Sequence, residues 1–419
     1  MNRIERVFHP VGQGAFYSEH FYVPDKQYNV VYDCGTSSAS QSSKAVVKQS
    51  FSEDETIDIL FISHLDWDHI SLIPTLRKSV KNIKHVVLPH VGDDYQMLFL
   101  INHPKIPKDL INTVRDIITS PKDYFGPETK VWRISPVEEE REPKSDQGIL
   151  DLDEADTQNN ILLSGQKLSL TKIRDWCYIP FNYYSSRKFR EVLQEKLCVD
   201  KDFQKNFKAL LGVDHDISIE NALEALRDPE KVTDIIKNQS VKKKKEKTVL
   251  DVLKEIYNQL EGKINAHSLV LYSGPQSNAY YFYYDILWQN YRLYKRFYRD
   301  CFLPSFCFDK IHHKLIEWRV ACIYNGDSNY NEHELKQRLR RVWDNVGTIQ
   351  VAHHGSKGSH DFNCEGDNFF LCPISYGTKN TYGHPSSKVL KDLVVKNRIP
   401  ISITEDLGSG FIQIISWNS

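Results

Sequence analysis

Hydrophobic and polar positions in residues 1–90 alternate between strand-like and helix-like periods. Arg6 to Phe8 leads into Val11–Tyr17, which predicts a strand, a glycine turn at Gly12 and Gly14, and a second strand. Asn29 to Asp33 predicts a third strand, ended by Cys34-Gly35-Thr36, and Ser43 to Ser52 a short helix. Ile57-Asp58-Ile59-Leu60-Phe61-Ile62 is mostly β-branched and aromatic, without Pro or Gly, the pattern of a buried strand. Ile70 to Val80 has a helical pattern broken early by Pro74, and Lys84 to His90 is a further strand. Repeated strand–helix alternation argues for a layered α/β core.

From residue 91 to 264 the pattern changes. Val137 to Asp156 is dense in acid and predicts a solvated loop. Leu162–Leu170 and Trp176–Tyr184 predict strands, and Phe189–Leu211, Ile219–Leu226 and Val249–Leu260 carry helical periodicity. Lys242 to Lys245 form a basic run, for which an exposed linker is a better account than a phosphate-facing arm. Ser268 to Tyr272 resumes the strand pattern. Between Tyr280 and Phe302, aromatics interleave with Arg and Lys; such a stretch stacks bases and grips phosphates, or packs one aromatic helix face into a core. The packed helix is the favoured expectation. Val320–Tyr324, Ile349–Ala352 and Phe369–Ser375 are strands, Ser387–Val394 a helix, and Ile401 to Ile415 a strand, turn and strand.

Composition narrows the classes. Hydrophobic residues at 40%, charged residues at 26% and a formal net charge of −1 describe an ordinary globular protein without a global basic field. The 8 Cys are scattered without a Cys-x-x-Cys pair, which fits reduced thiols rather than a disulfide framework or structural zinc. The first residues lack a signal-peptide h-region and no apolar run reaches membrane-span length, so a soluble, cytoplasmic protein is expected.

The candidate chemistry lies where strands stop. Directly after the Ile57–Ile62 strand comes Ser63-His64-Leu65-Asp66-Trp67-Asp68-His69, two imidazoles outside two carboxylates. A polar surface turn prefers Gly, Asn and Pro, so a metal site is the better reading. Asp327 ends another strand, His353-His354-Gly355-Ser356 a third, and Tyr382-Gly383-His384-Pro385 precedes a helix. Asp33 is either a brace for the metal loop or a turn cap.

These motifs together resemble those of metallo-β-lactamase-fold hydrolases, and among them the soluble hydrolase domain of ComEC-type competence proteins. The likeness is carried by Val11-Gly12-Gln13-Gly14, Asp33-x-Gly35, Ser63-His64-x-Asp66-x-Asp68-His69, Asn265-x-x-Ser268-Leu269-Val270-Leu271, Gly326-Asp327, His353-His354-Gly355-Ser356 and Tyr382-Gly383-His384-Pro385. It spans 1–90, 265–277 and 318–419. Ala15 stands where the ComEC-type pattern has Asp, and Asp66 where the wider superfamily more often has His. The resemblance implies an αββα sandwich, within the α/β (α+β) class, with two divalent metal ions at one edge of the sheets. Residues 1–90 and 265–419 would form its halves. The 91–264 stretch would be a mixed α/β insertion able to take a protein partner, and 278–317 an aromatic and basic insertion. It implies phosphodiester hydrolysis on nucleic acid, in a stand-alone relative of a kind found in bacterial anti-phage defence loci.

On that basis His64 and Asp66 are assigned to the first metal, Asp68 and His69 to the second, and Asp327 bridges. His353 completes one sphere, with His354 the less favoured candidate and His90 a weaker one. Two such ions generate hydroxide near neutral pH and neutralise phosphoryl charge. Carboxylate in place of imidazole at Asp66 hardens the site, from Zn²⁺ toward Mn²⁺ or Mg²⁺. Asp68 is also counted as catalytic, and His384 and Ser356 are expected to contact the phosphate or protonate the leaving oxygen. Two alternatives are a hydrolase of a small ester, lactone or cyclic nucleotide, and a non-catalytic sensor module stabilised by its metal.

Overall fold

A computed structural model describes residues 2–24, 26–90, 113, 116–117, 120–137, 148–156, 160–171, 173, 175–183, 186–227, 252, 268–276, 282–289, 319–328, 332–357 and 369–417. In chain order the strands are β1 (Asn2–Phe8), β2 (Phe16–Val23), β3 (Lys26–Cys34), β4 (Thr56–Phe61), β5 (Asn82–Pro89), β6 (Lys130–Ile134), β7 (Leu150–Asp151), β8 (Ile161–Leu162) and β9 (Leu168–Ser169). They continue with β10 (Trp176–Asn182), β11 (Leu269–Pro275), β12 (Phe282–Gln289), β13 (Ala321–Tyr324), β14 (Val346–Ile349), β15 (Phe370–Ser375), β16 (Arg398–Ile403) and β17 (Phe411–Trp417). The helices are α1 (Gln41–Ser50), α2 (Trp67–Ile70), α3 (Ile73–Ser79), α4 (Pro121–Phe125), α5 (Ser186–Val199), α6 (Lys201–Leu211), α7 (Ile219–Arg227), α8 (Glu332–Arg338) and α9 (Ser387–Val395).

The strands form two mixed sheets, ordered β12-β17-β1-β2-β3-β4-β5-β6-β8 and β16-β15-β14-β13-β11-β10-β9-β7. Ile4, Tyr17 and Phe61 of the first meet Trp176, Leu271 and Tyr324 of the second in a core between the sheets. Helices cover both outer faces. Val46 and Val47 of α1, Leu76 of α3, and Phe203 and Phe207 of α6 pack over the first sheet; Leu335 of α8 and Val389 and Leu393 of α9 pack over the second. The result is the αββα sandwich of the metallo-β-lactamase type. β4 lies in parallel between β3 and β5, covered on both faces, which is why its sequence is nearly continuous in apolar residues. Local signals agree with the elements they start: Ser40 caps α1 by accepting from Ser43 N at 3.2 Å, and Ser386 caps α9 by accepting from Val389 N at 3.2 Å.

One buried polar knot crosses the sandwich. Arg6 Nε donates to Glu19 Oε1 at 2.7 Å, and Arg6 Nη1 donates to Val320 O and Gln413 Oε1, each at 2.9 Å. The Glu19 carboxylate also accepts from Tyr178 (2.9 Å), Tyr324 (3.0 Å) and Ser273 (2.7 Å), so an ion pair far from water has its lone pairs filled.

The structure differs from the sequence expectations in identifiable places. Phe282–Gln289 is not part of a helix but strand β12, antiparallel to β17; its aromatic and β-branched composition suits a strand. The single strand expected over Leu162–Leu170 is two short ones separated by a turn at Gly165, whose φ is +81°. Pro74 opens α3 instead of breaking a longer helix, at the first turn where its missing N–H costs nothing. Within the stretch expected as an insertion, β6 and β8 extend the first sheet, and β7, β9 and β10 belong to the second. The Lys242–Lys245 run, the aromatic and basic residues 290–302 and most of the Val249–Leu260 helix lie outside the described residues. Among the described residues, no helix is long and apolar enough to cross a membrane.

Candidate metal centre

Strands β3, β4, β13, β14 and β15 all bring their carboxyl ends to one edge of the sandwich, the place where open α/β sheets present ligands. Asp33 ends β3, Ser63 to His69 follow β4, Asp327 follows β13, His353 and His354 follow β14, and Ser375 closes β15. The chain turns sharply at these points. Asp33, His353 and His354 have φ of 54°, 48° and 54°, a left-handed backbone that non-glycine residues adopt at a cost.

Three imidazoles are held by one ring nitrogen so that the other faces inward. His69 Nδ1–H donates to Asp33 Oδ2 at 2.8 Å, and His354 Nδ1–H donates to the Ser375 carbonyl at 2.8 Å. His64 Nδ1 lies 2.9 Å from Ser63 Oγ and 3.0 Å from Ser268 Oγ. The Ser63 hydroxyl spends its proton on Asp33 Oδ2 at 2.6 Å, so its oxygen accepts from His64 Nδ1–H. With Nδ1 satisfied in each ring, the Nε2 atoms point into the centre. His69 Nε2 is 3.1 Å from Asp327 Oδ1, and His354 Nε2 is 3.0 Å from Asp68 Oδ2. His64 Nε2 is buried with no hydrogen-bond partner among the described residues.

A nitrogen lone pair facing a carboxylate oxygen at 3 Å needs a proton or a cation between them. With protons alone, the electrostatics are those of imidazolium–carboxylate pairs. Burial would raise the Asp68 carboxyl, but the hydrogen bond from His354 and the charge of His69 hold it below the usual range; Asp327 is held well below by His353 and His69 against the same burial. Burial would lower His69, but Asp327 and Asp33 raise it well above an ordinary imidazole; burial would lower His354 too, but the Asp68 hydrogen bond raises it. The donor set suits a divalent cation equally: nitrogen and carboxylate oxygen, with the outer nitrogens fixed by carboxylate, hydroxyl and carbonyl.

The geometry sorts the expected ligands. Two groups have donor atoms within 4.8 Å of one another: His64, His69 and Asp327, and Asp68, His69 and His354. His69 is therefore shared, and His354 rather than His353 joins a group. His353 Nε2 lies 3.8 Å from Asp327 Oδ2, and Asp66 Oδ2 lies 3.6 Å from His64 Nε2, at the rim of the same cluster. His90 closes β5 in neither group, its carbonyl accepting from Asn182.

Around these side chains the backbone is tight. Ala15 N–H donates to Asp68 O at 3.1 Å, and Gly35 N–H donates to Ala15 O at 2.8 Å. A Cβ on Gly14 would come within 2.6 Å of Asp68 O, and one on Gly35 within 2.4 Å of His69 C. The Gly-Gln-Gly turn thus exists to lay backbone against the ligand loop. The His384 ring lies 5.6 Å from that of His353 and is stacked with Tyr382 at 6.0 Å. Burial, then the neighbouring His353 and His354, push the His384 pKa down to about 4. Ser356 donates its N–H to His353 O at 2.9 Å, closing the turn that carries both histidines.

Residue-pattern reasoning undervalued Asp33. Its carboxylate takes Ser63 N–H, Ser63 Oγ–H and His69 Nδ1–H together, so it orients the first imidazole of one group and the shared imidazole of both. Ser268, carrying Asp327 N–H at 2.9 Å on its oxygen, was seen only as part of a motif.

Residues 20–110 match the family model of the metallo-beta-lactamase superfamily. The match takes in the end of β2, β3 to β5 and the His64–His69 loop, and that superfamily consists mostly of metal-dependent hydrolases. No curated protein matches the chain.

Proposed function

We propose that this protein is a metal-dependent phosphodiesterase that cleaves nucleic acid, using two divalent ions at the β3/β4/β13/β14 edge. The carrying observation is the arrangement of His69 and His354. Each is anchored through Nδ1 and directs Nε2 at a carboxylate oxygen 3.0–3.1 Å away. His64 and Asp327 would hold one ion and Asp68 and His354 the other, with Asp66 and His353 at the rim. His69, with one inward nitrogen, would serve a single ion, and Asp327 would be the carboxylate offered to both. Divalent ions here supply an activated water and neutralise charge on the phosphoryl oxygens. With three imidazoles and two carboxylates in the two groups, the donor set suits Zn²⁺ or Mn²⁺, and Mg²⁺ less. His384, neutral above pH 4 or so, is suited to donating a hydrogen bond to a phosphoryl or leaving oxygen rather than to acting as an imidazolium. The choice of nucleic acid, and a setting in bacterial anti-phage defence, rest on the ComEC-type motifs in the sequence.

The test is cleavage of labelled single- and double-stranded DNA and RNA with Mn²⁺, Mg²⁺ or Zn²⁺, by wild type and Asp68→Ala in parallel. Metal-dependent cleavage lost in the variant is expected. Full metal occupancy without cleavage of any of the four substrates would sink the nucleic-acid reading.

A further inference from the structure

Beside the candidate metal centre lies a cavity of about 490 Å³, within the roughly 300–1,000 Å³ range of small-molecule sites. It is lined by Gln13, Ser38, Ser42, Lys379, Tyr382 and Glu405, among others. We infer that this cavity is a nucleoside subsite, which receives the base and sugar next to the phosphate undergoing hydrolysis. The inference rests on the phosphodiesterase reading above and deepens it.

Two connections tie the cavity to the chemistry. Gln13 lines it, while Ala15, two residues on, donates its N–H to the Asp68 carbonyl. Tyr382 lines it too and stacks on His384, whose ring stands 5.6 Å from that of His353. A phosphodiester seated at the carboxylates therefore has its next unit at the cavity mouth. The lining describes what that unit is. Tyr382 is 72% exposed, an aromatic ring kept at the surface against its own hydrophobicity, and base–aromatic stacking gives such a ring a use. Ser38 and Ser42 bring hydroxyls that both donate and accept, suited to sugar and base edges. Lys379 and Glu405 offset one another, so the wall has no net field for a second phosphate or a polyanionic tail. Gln13 is fixed rather than adaptable: Gly377 N–H donates to its Oε1 at 3.1 Å, joining the two walls.

The experiment compares metal-loaded wild type, Tyr382→Phe, Tyr382→Ala and Ser38→Trp on a dinucleotide and on bis(4-nitrophenyl) phosphate, a phosphodiester without nucleosides. Tyr382 and Ser38 are exposed, so these changes leave the core intact. The kcat/KM ratio of dinucleotide to base-free substrate is expected to fall at least about tenfold in Tyr382→Ala and Ser38→Trp, and to survive in Tyr382→Phe. An unchanged ratio in all variants overturns the subsite and leaves the phosphodiesterase standing. Binding is read separately, by calorimetry with adenosine 5′-monophosphate, ribose 5-phosphate and inorganic phosphate. Tighter binding of the nucleotide than of ribose 5-phosphate, lost in Ser38→Trp, supports the subsite even if wild type cleaves neither diester. Equal binding of the two overturns it.

Discussion

Between the sheets, Glu19 sits inside a ring of donors: a guanidinium, two tyrosine hydroxyls and a serine. At the strand ends, Asp68 and Asp327 face imidazole nitrogens whose other sides have already been committed to Asp33, Ser63 and Ser375. Both clusters bury carboxylates in the same sandwich. The first closes on itself, every lone pair matched by a hydrogen already in the protein, and nothing can be added. The second collects lone pairs from separate strands and leaves the matching positive charge to come from outside. Charge that holds a fold and charge that waits for a ligand are thus distinguished by where the hydrogens are, more than by burial or residue type.

Substitutions should pull these two clusters apart. The largest effect is expected from Asp68→Ala, which lowers metal-dependent hydrolysis by on the order of 10³-fold or more, the scale of losing a group that stabilises developing charge; its urea midpoint without metal moves little beside that of a Glu19 variant. Glu19→Ala should lower unfolding free energy by about 3–5 kcal/mol, since it strands the Arg6 charge. Denaturant titration checks this, and a loss below 1 kcal/mol would mean that the knot holds nothing. Asp33→Asn is next: the fold is kept, but affinity for Mn²⁺ measured by calorimetry drops about 10–100-fold as His69 loses its orienting partner.

A smaller effect concerns pH. In the metal-free protein His69 and His354 have pKa values raised above the ordinary value of about 6.5. A group whose folded pKa is raised contributes stability that is complete below its unfolded pKa and is lost as pH rises through the folded one. The melting temperature without metal should therefore fall from pH 6.5 upward, and saturating metal should remove that decline, because the ions replace the protons. A metal-free protein that gains stability over the same range would show that these pairs are not imidazolium–carboxylate. Smallest of all, Ser356→Ala should change kcat by less than about threefold, its described contact being a backbone hydrogen bond; a hundredfold loss would return the hydroxyl to the reaction.

The candidate loop was legible because a fully covered strand is mostly apolar and then stops: β4, with Asp58 its one charged residue, announces where His64 to His69 begin. Asp327 and His353-His354 were legible for the same reason. Asp33 was only half so, since an acid after a strand looks alike whether it caps a turn or receives three hydrogens from a loop 30 residues away. The partition between His353 and His354 turns on two successive left-handed residues, which no side-chain pattern encodes. The two-residue strands β7, β8 and β9 are too short for any period to show, and so the part that residues 130–182 play in both sheets was hidden. The Arg6–Glu19 knot was invisible for a different reason: its partners are drawn from β1, β2, β10, β11, β13 and β17, and only the packed sandwich brings them together.

The pairing of β1 with β17, Asn2 beside Trp417, also sets a clock on synthesis. β1 waits for a strand made hundreds of residues later before its second edge is filled, while His64 and His69 wait for Asp327, His354 and the anchoring Ser375 carbonyl. A chain still emerging from the ribosome accordingly has half a centre and a half-open sheet. The candidate centre is therefore assembled only after β13, β14 and β15 have been made.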